Sequence, residues 1–211
     1  MLTALEALRS LRDGNRRFVA DRSHTSASVD HQRRLATVER QEPFAIILGC
    51  SDSRVPAELV FDQGFGDLFV IRVAGNIVAP SLVGSVEFAA ARFGTRLVVV
   101  MGHTNCGAIV ATLEELTGRA TTQSRNLQSI VHRVRPAVQN LLAGQPHLSN
   151  DEIVDQAVKA NVRASADHLR HGSELLEGLI QNDGLLVVGA EYSLETGVVE
   201  FFDGVPAGAL D

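Results

Sequence analysis

The chain has 211 residues and a formal net charge of −6, with no cluster of Lys and Arg interleaved with aromatics, which argues against a nucleic-acid binder. Its 45% apolar and 21% charged residues are those of a soluble globular chain and argue against disorder, and no apolar run reaches the length of a membrane span. A single domain over residues 1–211 is expected. The N-terminus carries Glu6 and no basic region ahead of a long apolar stretch, so no secretory signal is read and a cytoplasmic location is expected. In that compartment the two cysteines point to metal binding or catalysis ahead of a disulfide.

In chain order, residues 3–20 have the period of an amphipathic helix, with Leu5, Leu8, Leu11, Phe18 and Val19 on one face. Asp21–Asp30 is polar and loop-like, and helical character returns over His31–Arg40, so residues 1–40 read as an N-terminal helical arm. The apolar face of the first helix needs cover, from its own chain or from another subunit. Phe44–Leu48 is an unbroken apolar run of the kind a strand buried on both faces requires. Pro56 starts a helical turn through Leu59, and Gly64 and Gly66 lead into a second strand over Asp67–Val73. Gly64-Phe-Gly66 precedes a strand and lacks a third glycine, and no Walker-type loop exists, so nucleotide binding is a poor fit.

Ala74–Pro80 reads as a loop, Ser81–Phe93 as a helix closed by Gly94, Leu97–Met101 as a third strand, and Cys106–Leu116 as a helix stopping at Gly118. A helical region over about 126–182 is broken near Gly144-Gln-Pro146 and near Gly172. Leu185–Ala190 and Gly197–Phe202 are strands joined through the turn at Leu194. The pattern predicts an α/β fold: a mostly parallel central sheet, about four parallel strands plus one antiparallel C-terminal strand, flanked by helices.

The two cysteines each follow a predicted strand, in Cys50-Ser-Asp52-Ser-Arg54 and in His103-Thr-Asn-Cys106-Gly107. Strand ends of this kind are where open α/β sheets build sites. Either cysteine alone is most simply a small buried apolar residue. Together with His103 they form a Cys₂His donor set, three protein ligands that leave a fourth position open, the count of a catalytic zinc site. Asp52 could ligate such a metal or accept a hydrogen bond from its water, and Arg54 could hold it away in a bidentate pair or simply form a structural salt bridge. No C-x-x-C is present, which disfavours a redox pair. The remaining histidines, at 24, 31, 132, 147, 168 and 171, read as surface or helix-face residues.

These two motifs resemble the signatures of the β-class carbonic anhydrases. The resemblance continues through Arg54-Val-Pro-Ala-Glu58, Gly66–Phe69, Ala74-Gly-Asn76 and Gly84–Phe88, covers about residues 5–202 and is least specific between 118 and 183. It implies a zinc enzyme interconverting CO₂ and bicarbonate, with one Zn²⁺ per chain on Cys50, His103 and Cys106 and a zinc-bound hydroxide attacking CO₂. It further implies that Asp52, restrained by Arg54, orients the hydroxide, or occupies the fourth metal position in a closed, pH-dependent state. Gln41 matches a substrate-orienting amide, and Phe69, Ala74 and Phe88 match an apolar substrate pocket. A homodimer or homotetramer is implied, with the active site at the dimer interface and the N-terminal arm on the partner.

Two positions depart from the family pattern. Ile47 stands where members with a second, non-catalytic bicarbonate site carry tryptophan, which favours the open, Arg54-paired Asp52. Phe88 stands where a pocket tyrosine is common, which removes a hydroxyl from any proton relay. Competing functions are a same-fold hydrolase of carbon disulfide or carbonyl sulfide, with the same metal ligands, and a non-catalytic zinc or redox protein, which would need no Asp52–Arg54 pair.

Overall fold

The computed structural model describes residues 2–24, 31–121, 124–144 and 149–210. The stretch 25–30, and the helical break at Gln145, Pro146 and His147, lie outside the described residues. The apolar runs at 44–48 and 97–101 become β1 (Ala45–Gly49) and β3 (Leu97–His103), buried along their whole length as strands covered on both faces must be. With β2 (Leu68–Arg72), β4 (Leu186–Tyr192) and β5 (Val199–Asp203) they form one sheet in the order β2-β1-β3-β4-β5. The first four strands are mutually parallel and β5 runs antiparallel to β4, as the pattern predicts.

Two strands run further than the apolar pattern suggests. Pairing of β3 with β4 continues through Gly102↔Glu191 and His103↔Tyr192, so His103 is the last residue of a strand and not the first of a loop. Hydrogen bonding to a neighbour extends a strand past its apolar run, and periodicity does not report this.

Alternate residues of β1 and β3 point to opposite faces. Ile47, Val99 and Met101 face α1 (Ala4–Val19) and α3 (Ala57–Val60). Ile46, Leu48, Val98 and Val100 face α4 (Pro80–Arg92), α7 (Asn150–His171) and α8 (Glu174–Asn182). A capping box between Thr3 and Glu6 starts α1, which lays Ala7, Leu8 and Leu11 against the sheet of its own chain. Asn15 on α1 ties three segments together, donating to the carbonyls of Val60 and Gly197 and accepting from the Val199 amide. By contrast α2 (His31–Ala36), shorter than the 31–40 segment expected, buries none of its residues.

A third apolar cluster closes the carboxyl end of the sheet. It joins Cys50 and Cys106 to Ile109 and Leu113 of α5 (Gly107–Leu116), Val134 and Val138 of α6 (Arg125–Gly144), and Val158 of α7. Among the described residues no helix is long and apolar enough to cross a membrane.

Candidate metal centre

The register of the sheet brings the two motifs together. Gly49, the last residue of β1, pairs with Met101 of β3 and with Arg72 of β2. Cys50 therefore leaves β1 level with the end of β3, where His103 completes its strand. The chain then turns through Asn105, whose φ of 54° is left-handed, and returns Cys106 as the N-cap of α5. Asparagine tolerates that conformation better than most side chains. The helix thus begins one residue later than the sequence suggests, and Cys106 sits at its positive end, where a thiolate is favoured.

Cys50, His103 and Cys106 are all buried, and their donor atoms lie within 4.8 Å of one another. The two sulfurs are 4.0 Å apart. His103 Nδ1 lies 2.9 Å from the Thr104 carbonyl oxygen, which only accepts, so Nδ1 carries the proton and the lone pair is on Nε2. Nε2 is buried and has no hydrogen-bond partner among the described residues. A buried acceptor costs stability when it is left unmade, and here it faces two sulfurs in the donor combination that suits zinc. The residues present fit a three-ligand zinc site.

The thiols are unequal. Cys50 is held low, first by a hydrogen bond from Cys106 and also by the Gly75 amide, against the opposing effect of burial. Cys106 is driven up by the same bond and by its own burial. The Gly75 N–H donates to the Cys50 sulfur at 3.4 Å.

Asp52 stands beside this set without joining it. Its Oδ2 lies 3.8 Å from His103 Nε2. Arg54 takes both of its oxygens, with Nε donating to Oδ1 at 2.9 Å and Nη2 to Oδ2 at 2.7 Å, and the Arg54 amide also donates to Oδ1 at 3.0 Å. These bonds hold the Asp52 carboxyl well below the usual carboxylate range. The structure records the arrangement with Asp52 paired to arginine.

Sequence reasoning missed Arg72. At the end of β2 its Nε donates to the Cys50 carbonyl at 3.0 Å and its Nη2 to the Asp52 carbonyl at 2.5 Å, so one guanidinium fixes the loop carrying both residues. Its position in a predicted strand was visible in the sequence, but its level with Gly49 depends on register.

The predicted pocket residues are not all brought to the metal centre. Ala74 lies next to Gly75 and so close to Cys50. Phe69 of β2 and Phe88 of α4 meet each other at 6.2 Å and both pack on Phe93, forming an aromatic group on the open edge of the sheet. Gln41 precedes β1, whose five residues separate it from Cys50 by about 16 Å or more. It lines a separate cavity of about 390 Å³ with Arg92 and Phe93. A larger cavity of about 700 Å³, between α4, α6 and α7, includes none of the three donors. The histidines at 24, 31, 132, 168 and 171 are exposed, as expected, and His147 lies outside the described residues.

The profile of the carbonic anhydrase family matches residues 45–199. Carbonic anhydrase 2 of Mycobacterium tuberculosis is 40% identical over 192 residues, covering 90% of this chain and 89% of that protein. A carbonic anhydrase of Mycolicibacterium smegmatis is 37% identical over 195 residues, covering 92% and 91%. Among solved structures, the β-carbonic anhydrase CafA of Aspergillus fumigatus superposes with a TM-score of 0.74 at 29% identity, covering 85% of this chain and 86% of that one. The Cys₂His set at the end of a mostly parallel sheet and the match over most of the chain agree, and this chain belongs to the β-carbonic anhydrase family of enzymes.

Proposed function

We propose that the chain catalyses the reversible hydration of CO₂ to bicarbonate and a proton, using one Zn²⁺ per chain held by Cys50, His103 and Cys106. The observation that carries this reading is the unpartnered, buried His103 Nε2 facing two buried thiols, with Asp52 beside it in the grip of Arg54. Zinc at such a centre supplies water activated for attack near neutral pH.

The residues of the chain do the rest. Three donors leave a fourth position, and Asp52 is the carboxylate near enough to take it. Arg54 engages both Asp52 oxygens and keeps that position open to water. In this state Asp52 is an acceptor beside that position, where it would take a hydrogen bond from the activated water and orient it towards CO₂. Released by Arg54, Asp52 would be free to serve as a fourth donor. Burial of the centre in the apolar cluster of α5 and α6 suits a small apolar substrate.

We also propose a homodimer or homotetramer in which the substrate pocket is completed by a second copy. Two features support this. Gln41 is too far from Cys50 in its own chain to orient a substrate there, and the pocket residues Phe69 and Phe88 lie on an unpaired sheet edge with Phe88 54% exposed. The arm has surface for a partner, since α2 is uncovered and Leu5 and Val19 of α1 remain exposed. The two unpaired cysteines suit a reducing compartment, and we place the enzyme in the cytoplasm.

Stopped-flow CO₂ hydration across pH 6.5 to 9, with zinc assayed on the same sample, tests the proposal. Rapid hydration with zinc near one per chain is expected. Full zinc without hydration at any pH would overturn the activity, and absence of bound zinc would overturn the site.

A further inference from the structure

The α7 helix reaches across the end of the sheet with two buried polar side chains about one helical turn apart. Asn161, 2% exposed, donates from Nδ2 to the Gly75 carbonyl at 2.8 Å, and Ser165, 6% exposed, donates from Oγ to the Asn76 carbonyl at 3.1 Å. Both acceptors belong to the short 3₁₀ turn Ala74–Asn76. That turn is held in left-handed backbone, with φ of 70° at Gly75 and 41° at Asn76. A non-glycine residue there costs on the order of 1–3 kcal/mol and persists only where its surroundings impose it.

The turn is confined on its other sides as well. A Cβ on Gly75 would stand 2.9 Å from the Ala108 Cβ, so the turn lies tight against α5, the helix that Cys106 caps. On the sheet side the Gly75 N–H points at the Cys50 sulfur. Val158 and Val162 of the same helix pack against Gly102 at the end of the sheet. Asn161 and Ser165 direct their donors to two successive carbonyls of one turn, about 86 and 89 residues away in sequence.

We propose that Asn161 and Ser165 are positioning residues for the Cys50 sulfur: from the far side of the Ala74–Asn76 turn they hold the Gly75 amide on that sulfur and so set its strength as a metal donor. An amide hydrogen bond draws charge from a thiolate, eases repulsion between two thiolates on one ion and fixes the direction of the donor lone pair. Groups that orient a ligand in this way contribute roughly 10–100-fold in metal affinity. The inference rests on the reading that Cys50, His103 and Cys106 hold a metal.

The test compares the parent with Asn161→Leu, Ser165→Ala and Ser165→Thr, the last keeping the hydroxyl. Zinc affinity is measured by competition with a chromophoric chelator, the thiolate-to-metal charge-transfer band is recorded on cobalt(II)-loaded protein, and thermal unfolding checks the fold. Affinity should fall roughly 10–100-fold in Asn161→Leu, and less in Ser165→Ala, with the band shifted in both and Ser165→Thr close to the parent. A purely structural role would lower the melting temperature and leave the band in place. Folded Asn161→Leu with parental affinity and band would overturn the inference, and if that variant does not fold, Ser165→Ala decides by the same two readouts. A parent chain that binds neither zinc nor cobalt would overturn the metal site itself, a result distinct from parental binding in the variants.

Discussion

Arg54 donates to both carboxylate oxygens of Asp52 while Asp52 Oδ2 remains 3.8 Å from the unpartnered nitrogen of His103. Both the nitrogen lone pair and the carboxylate are acceptors, so Asp52 takes no hydrogen bond from His103 and is committed to Arg54. Arg54 lowers the Asp52 pKa, so the pairing is complete above the ordinary carboxylate range and is lost only as pH falls through the lowered value. On the proposed function, the ionised Asp52 would need Arg54 to stay off the metal. Arg54→Leu is expected to keep its zinc and lose hydration on the order of 10²–10³-fold, most at low pH, where hydroxide competes least well with the freed carboxylate. Rate–pH profiles with zinc assayed alongside check this. An unchanged profile would mean that Arg54 does not restrain Asp52.

On the proposed function, metal binding and catalysis separate between neighbouring residues. Cys106→Ser removes one of three donors and is expected to leave the protein with little zinc after dialysis. Asp52→Ala removes no donor in the arginine-paired arrangement, so it should retain zinc close to the parent yet lose hydration on the order of 10²–10³-fold. Metal analysis of the dialysed variants distinguishes the two. Loss of zinc from Asp52→Ala would make the aspartate a ligand in the resting protein.

What was legible in the sequence follows from what is local. The runs at 44–48 and 97–101 announce buried strands, and the chemistry of Cys50, Asp52, Arg54, His103 and Cys106 is visible because each lies beside the end of such a run. Asparagine at position 105 is compatible with the left-handed turn that returns Cys106, but nothing local demands it. The supports of the site were not legible. Arg72 reaches Cys50 and Asp52 because β1 and β2 pair in one register, and Asn161 reaches Gly75 across 86 residues because α7 crosses the sheet end there. Helical periodicity places Asn161 on α7 without saying which turn it meets. Gln41 shows the converse: the family resemblance implies a substrate role for it, while β1 carries it to the far end of the sheet in its own chain.

The helix α1 meets the following segment at Gly14, where a Cβ would fall 1.8 Å from the Phe61 carbonyl oxygen and 2.8 Å from its carbon. These are backbone atoms next to α3, and no rotamer change moves them aside. Gly14→Ala is expected to cost about 3 kcal/mol or more, the upper end for overpacking, with a fall in melting temperature of roughly 6–12 °C. Gly178 in the middle of α8 has no atom within 4 Å of its added Cβ, so Gly178→Ala should instead stabilise by about 0.5–1 kcal/mol. Thermal unfolding of the pair measures the difference. Equal melting temperatures would mean that α1 does not sit against Phe61 in solution.

The unpaired edge of the sheet provides the test of assembly. Phe88 is 54% exposed, 5.6 Å from Phe93 and 6.2 Å from Phe69 between ring centroids, on the side of the sheet where β2 has no strand neighbour among the described residues. An aromatic group of this kind loses contact with water if a second copy covers it, and a charge in its centre would then be buried without a partner. Phe88→Glu is therefore expected to shift the protein from oligomer to monomer by light scattering. If the proposed shared site is right, hydration should fall as the oligomer is lost, because Gln41 would reach the centre at Cys50 only from a neighbouring copy. Gln41→Ala should lower hydration while leaving the oligomer intact, which separates the contribution of the amide from that of the interface. A parent that is already monomeric and hydrates CO₂ rapidly would overturn the shared site and leave each chain catalytically complete.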